Sequence, residues 1–192
     1  LADSSFYKVS IYVRRNFHVQ HKKLEINIIE FSNLNKYKDL IKGDILFSAL
    51  GTTKKEAGSK KKQFLVDYTY QYNFAKIASE NGVNHYSLIS SVGANVKSSF
   101  FYPRIKGKLE NSVKLLNFNK IQIFQPPLLI RQPELIRTGE KIIIATLKIL
   151  NCFGFLKSFK PLFVKDLAIQ VIACASSRKN NRVSFYTPQD LL

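Results

Sequence analysis

Apolar and polar positions alternate with period two over residues 8–15 (KVSIYVRR), in a stretch rich in β-branched and aromatic types, which predicts a strand. Residues 24–31 (LEINIIEF) predict a second. Residues 44–50 (DILFSAL) and 85–91 (HYSLISS) are nearly unbroken apolar runs, as expected of strands covered on both faces. A strand at 120–124 runs into Pro126 and Pro127, and 182–187 predicts a last short one. Between them lie helical patterns. Asn33 is placed to cap a short helix through Ile41 that Gly43 ends, and Gly82 closes a long helix over 63–81. Helices are also predicted at 103–116, with Pro103 in the first turn, at 138–150 and at 164–176. Residues 54–62 form the most polar loop.

Strands alternating with helices predict an α/β protein, a Rossmann-type doubly wound parallel sheet over residues 1–192 as a single domain. Ligands of such sheets sit beyond the carboxyl ends of the strands. The positions to inspect are therefore Arg14 and Arg15, Glu30 and Phe31, Leu50 to Thr53, Ser90 and Ser91, and Gln125 to Leu129.

Composition alters this picture in three places. The net charge of +17, from 30 Lys+Arg against 13 Asp+Glu, invites a nucleic-acid partner. The excess is carried by 23 lysines rather than by the 7 arginines, and Asn (14) and Ile (19) are abundant too, a pattern that A/T-rich codons alone produce. Nucleic-acid binding is accordingly the minority reading. The longest apolar run, 142–156, is interrupted by Lys148 and Asn151 and predicts no membrane span. Two cysteines, Cys152 and Cys174, make no disulfide framework and read as buried thiols of a reducing compartment, so the expected location is cytoplasmic. The chain has no methionine, not even an initiator.

The main chemical candidate is Ser90 and Ser91 at a strand exit, followed by Tyr102 and Lys106. A tyrosine and a lysine four apart lie one helical turn from each other, and a nearby ammonium is expected to lower the phenol pKa and make Tyr102 a usable acid or base. Chance spacing among nine tyrosines and 23 lysines competes with this reading. Arg14 and Arg15 can grip a 2′-phosphate, or simply close a strand as solvated charges. At Leu50, Gly51 and Thr52 a small residue permits close backbone approach to a ligand. The following GTTKKEAGSKKK lacks the GxxxxGK[ST] spacing of a nucleoside-triphosphate loop. His18, His21 and His85 have no partners at metal-ligand spacing, so no metal site is predicted.

Taken together, VRR at 13–15, ALGTTKKEAGS at 49–59, VDY at 66–68, SLISSVGANVKSSFFYPRIKGKLE at 87–110, QPPLLI at 125–130 and VKDLA at 164–168 resemble a known family. It is the atypical short-chain dehydrogenase/reductases, in the NAD(P)H-binding branch of the Tat-interacting-protein oxidoreductase. The resemblance implies NADP (NADPH) as cofactor, with NAD second to it. It sets Arg14 and Arg15 near the 2′-phosphate, Glu30 and Phe31 by the adenine, and Leu50, Gly51, Thr52 and Ser90 along the cofactor. Pro126 and Leu128 fall beside the nicotinamide. Ser91 (or Ser90), Tyr102 and Lys106 become a Ser-Tyr-Lys set, with residues 131–163 on the substrate side. Two departures stand out. Gln125 replaces an arginine, and the glycine-rich GxxGxxG turn and first strand of the family are absent from these residues, so the native protein is expected to extend upstream.

The leading expectation is an NADP-dependent oxidoreductase acting on a small carbonyl or alcohol, whose identity the residues do not specify. The alternative is a non-catalytic NADP(H)-binding regulator or scaffold acting through protein partners. A protein partner or a homodimer is compatible with either.

Overall fold

The computed structural model describes residues 1–130, 161–177 and 181–192. The helix expected at 138–150, the apolar run 142–156, Cys152 and nearly all of the substrate-side segment 131–163 lie outside the described residues. The rest divides into two compact units, Leu1–Ile41 and Lys42–Leu192.

In the first unit β1 (Val9–Val13) and β2 (Leu24–Ile28) pair in parallel, Val13 opposite Ile28. Their carboxyl ends therefore lie side by side. β2 stops short of the predicted residue 31 because a 3-10 helix, Phe31–Leu40, begins there. Asn33 does not cap it. Asn33 sits inside with φ −135° and ψ 56°, breaking it into two turns, while Glu30 occupies the cap position without a side-chain capping bond.

The second unit holds a four-stranded parallel sheet of order β3-β4-β5-β8, from β3 (Ile45–Ser48), β4 (His85–Ile89), β5 (Lys120–Phe124) and β8 (Val183–Tyr186). The expected α/β parallel architecture is present. The central strands β4 and β5 are almost wholly buried, as their apolar runs predict. β3 departs from the same prediction. Among the described residues it pairs with β4 alone, and Phe47 is 39% exposed. A short parallel pair, β6 (Leu129–Ile130) with β7 (Leu162–Phe163), follows the exit of β5.

Residues 54–62 are helical rather than a loop. Thr53 and Glu56 form a reciprocal capping box on α1 (Lys54–Ala57), and Gly58, at φ +79°, ends it in the left-handed region. Ser59 then caps α2 (Lys60–Phe64), which continues through a π-helical turn (Leu65–Tyr70) into α3 (Gln71–Glu80). The long helix thus begins before the predicted residue 63. The remaining helices are α4 (Phe101–Val113), α5 (Val164–Ser176) and α6 (Pro188–Leu191).

Cations close the carboxyl ends of two helices. Arg182 donates to the carbonyls of Lys114, Leu116 and Phe118 after α4, at 3.1, 2.7 and 3.2 Å. Lys120 donates to those of Cys174, Ala175 and Ser177 at the end of α5, at 3.4, 3.3 and 2.6 Å. Both satisfy orphan carbonyls at the negative pole of a helix dipole. Beside them Phe124 stacks on Tyr186 at 4.5 Å, in a core with Leu162, Leu167, Val171 and Leu191. Gln122 Nε2 donates to the Cys174 carbonyl at 2.8 Å and to Tyr186 Oη at 3.0 Å. Its Oε1 therefore accepts from His85 Nε2 at 2.8 Å. Burial lowers the His85 pKa, consistent with a neutral structural imidazole. Cys174 is half-buried against this core. Replacing Lys120 with Met is expected to cost about 1–3 kcal/mol, the range for charge-assisted hydrogen bonds. Urea unfolding would read this as a lower midpoint; an unchanged midpoint would contradict the capping role.

Candidate functional site

The site is built where β4 and β5 leave the sheet. Ser90 N–H donates to the Phe124 carbonyl at 2.7 Å and Val92 N–H to that of Pro126 at 3.0 Å. The ladder thus runs on past the strand ends and holds Ser90 and Ser91 alongside Pro126, which is buried. Gly93, at φ +75°, turns the chain. Asn95 N–H then donates to the Pro103 carbonyl at 3.0 Å, laying the segment on α4. Gly107 makes that approach possible. A Cβ there would lie 2.5 Å from both the Asn95 carbonyl carbon and the Val96 nitrogen.

Tyr102, Lys106 and Glu110 follow at four-residue intervals on α4 and so share one face. Lys106 is 2% exposed, and its Nζ donates to the Ile89 carbonyl at 3.1 Å, pinning α4 to the exit of β4. Glu110 accepts from Ser90 Oγ and, at 3.1 Å on each oxygen, from Gln125 Nε2. One neutral amide here serves both carboxylate oxygens. The two serines therefore differ. Ser90 is buried and bonded to Glu110, whereas Ser91 is half-buried with only a long 3.3 Å contact to the Val92 carbonyl.

A residue that sequence reasoning did not single out completes the cluster. Asp67 lies on the π-turn, fully buried. Its carbonyl is taken by Gln71 Nε2 at 3.0 Å, a side chain serving the widened turn. Its Oδ1 accepts from Thr52 N–H at 3.2 Å, and its Oδ2 has no hydrogen-bond partner. A Cβ on Gly51 would stand 3.3 Å from Oδ1, so the small residue at 51 makes room for this carboxyl. The signal in the sequence was an acid within an aromatic, apolar helical stretch. Glu110 was equally legible as the third member of a Tyr-Lys-Glu ladder.

The electrostatics follow from burial. Desolvation lowers Lys106 to about 8, although the charges of Asp67 and Glu110 oppose the drop. Desolvation also raises Asp67, against the Thr52 N–H and the Lys106 charge. Tyr102, 38% exposed, is pushed up to about 12, first by desolvation and then by the Asp67 charge. This corrects the expectation that Lys106 lowers the phenol. At neutral pH Tyr102 keeps its proton and can donate it to an oxygen.

Among the other predicted residues, Leu50 and Thr52 are half-buried, while Gly51 and Leu128 are exposed. In the first unit Arg14 and Arg15 are exposed just beyond β1. Glu30 is exposed beyond β2, accepting from Ser32 Oγ at 2.7 Å, and Phe31 follows it half-buried. Among the described residues no cluster of three metal-ligating side chains occurs, and no helix is long and apolar enough to cross a membrane.

A mitochondrial FMP52-1 protein from Scheffersomyces stipitis is 31% identical over 200 residues, covering 99% of this chain and 88% of that protein. The chain belongs to the FMP52/HTATIP2 family. Protein HTATIP2 of Rattus norvegicus is 29% identical over 189 residues, 96% of this chain and 74% of that protein. A mitochondrial fmp52 protein from Emericella nidulans is 44% identical, over 51% of this chain and 42% of its own length. No family model matches. The fungal relatives are named as mitochondrial proteins, which overturns the cytoplasmic expectation. In solved structures the fold is similar to MoeE5 in complex with UDP-glucuronic acid and NAD. That match has TM-score 0.68 and 13% identity, over 95% of this chain and 69% of that one. It is also similar to a short-chain dehydrogenase/reductase superfamily protein from Agrobacterium tumefaciens with bound NAD. Here the TM-score is 0.68 and the identity 10%, over 93% and 69% of the two chains. The Rossmann-type fold of that superfamily is thereby shared.

The contact at Gly107 carries a direct expectation. Gly107→Ala should destabilise the protein by about 1–3 kcal/mol or more, as overpacking against backbone does. Thermal unfolding would show it as a clear fall in Tm, and a wild-type Tm would contradict the close approach.

Proposed function

We propose that the protein is an NADP-dependent oxidoreductase of the atypical short-chain dehydrogenase/reductase kind, acting on a small carbonyl or alcohol. One observation carries the reading. Lys106 is a buried ammonium anchored to the exit of β4, one helical turn from Tyr102 on the same face of α4. The donor set fits a nicotinamide dinucleotide. A desolvated cation, a protonated phenol and a strand-exit serine lie at the exit of β4, and an orphaned carboxyl oxygen lies beside the loop after β3. Structural neighbours whose titles record bound NAD, and a relative of the HTATIP2 kind, support the class.

The bound cofactor supplies the hydride. Tyr102 donates its proton to the substrate oxygen as the alcohol forms, and takes one back in the reverse direction. Ser91, whose hydroxyl is less committed than that of Ser90, orients that oxygen. Lys106 would hold the ribose of the bound cofactor. Glu110, through Ser90 and Gln125, fixes the exits of both strands. Gly51 and Thr52 approach the cofactor through their backbone, flanked by Leu50, Pro126 and Leu128. In the first unit Arg14 and Arg15 take the 2′-phosphate, with Glu30 and Phe31 at the adenine.

Tyr102→Phe should lower turnover by about 10²-fold or more while leaving NADPH affinity nearly unchanged. Wild-type turnover in this variant would end the mechanism. The activity profile of the native protein should fall above pH about 8, where Lys106 loses its proton. An alkaline limb unaffected by pH would contradict the role given to that ammonium. Replacing Arg14 and Arg15 together with Ala should weaken NADPH binding and leave NADH binding nearly as it was. Equal loss for both dinucleotides would contradict the assignment. The second reading is a non-catalytic NADP(H)-binding regulator or scaffold acting through a protein partner. Tight NADPH binding with no turnover across a carbonyl panel would decide for it.

A further inference from the structure

The buried cluster at the exits of β4 and β5 contains two carboxyl groups, Asp67 and Glu110, and one ammonium, Lys106. The oxygens of Glu110 are taken up by Ser90 and Gln125, a hydroxyl and a neutral amide. Asp67 accepts from the Thr52 N–H and has the Gln63 side chain as a further polar neighbour, while its Oδ2 is fully enclosed with no hydrogen-bond partner of good geometry. Two buried negative charges against one positive charge are costly in a desolvated site. A proton on one carboxyl removes the excess, and the oxygen with no donor is where a hydroxyl costs least.

The groups facing Asp67 are known on each side. From α4 come Lys106 and Tyr102, with Glu110 one turn further on. From its own helix come Gln63 ahead and Gln71 behind, neither of them charged. From the loop after β3 comes the Thr52 amide. Among the described residues Lys106 and Tyr102 sense its charge, and they are the groups proposed above to act at the nicotinamide.

We propose that Asp67 holds a proton in the free protein, releases it when a nicotinamide dinucleotide binds in its oxidised, positively charged form, and keeps it when the reduced, neutral form binds. The inference rests on the dinucleotide reading above. Its balance is simple: the Asp67 carboxylic acid becomes a carboxylate, and the proton passes to solvent buffer. The new carboxylate charge would offset that of the positive ring, and by linkage the affinity for the oxidised form would rise with pH while that for the reduced form would not. Asp67 thus favours one redox state of the cofactor over the other, a role separate from holding the Thr52 backbone.

The test is calorimetric titration of the full chain with NADP+ and with NADPH, in buffers of different ionisation enthalpy, at mildly acidic pH and again at higher pH. The phosphates of the two forms titrate alike and cancel in the comparison. The expected result is about one more proton released with NADP+ than with NADPH, fading as pH rises. In Asp67→Asn, which keeps the shape and an oxygen for Thr52, the difference should vanish. Equal proton release by the native protein with both forms would overturn the proposal, without need of the variant. A difference that survives in a folded Asp67→Asn would also overturn it. If neither dinucleotide binds, the oxidoreductase reading fails and takes this inference with it; if both bind with equal proton counts, only the inference fails.

Discussion

A single desolvated ammonium organises the second unit. Lys106 is accommodated in an almost wholly buried position by the Ile89 carbonyl, which accepts from it, and by the Glu110 carboxyl within electrostatic reach. The surrounding features serve that arrangement. β4 ends where its last carbonyl can meet Nζ. Gly107 has no Cβ, so the segment after Ser91 can lie on α4 next to Lys106. Glu110 binds Ser90 and Gln125 and so ties α4 to both strand exits. The π-turn brings a fully buried Asp67 beneath the Gly51–Thr52 backbone.

The second unit also separates stability from chemistry in space. At the amino ends of the strands Lys120 and Arg182 cap the carboxyl ends of α5 and α4, and a polar network runs along the sheet from His85 through Gln122 to Tyr186 at the end of β8. Every polar group named there has a partner. At the other end, Asp67 Oδ2 is unpaired, Lys106 is depressed and Tyr102 raised. The shifted Lys106 and Tyr102 and the unpaired Asp67 Oδ2 at the strand exits fit a binding site in this fold class, while Tyr86 Oη and Ser87 Oγ within β4 also lack hydrogen-bond partners of good geometry.

Much of this was legible in the residues. Apolar runs located β4 and β5 because strands buried on both faces must be continuously apolar. The Tyr102–Lys106 spacing was readable because helix geometry converts four residues into one turn. Other features depended on contacts distant in sequence. Nothing in DILFSAL itself states that, among the described residues, β3 pairs with β4 alone. The polar composition of 54–62 concealed two helix starts, which rest on the local caps at Thr53 and Ser59 rather than on apolar periodicity. Asn33, a good cap by type, was overridden by the turn that starts at Phe31. The sign of the Tyr102 shift was misread because spacing conveys the nearby ammonium but neither the burial nor Asp67, 35 positions earlier in the numbering.

The central claim is that the Lys106 cluster receives the nicotinamide end of a dinucleotide. Its most direct test is an equilibrium titration of NADPH by the cofactor's own fluorescence, on the native protein and on a folded Lys106→Met variant. The chain contains no tryptophan, so the signal is free of that overlap. Saturable binding to the native protein, markedly weakened in Lys106→Met, is the predicted result. Binding of equal strength to both proteins, or to neither, would contradict it.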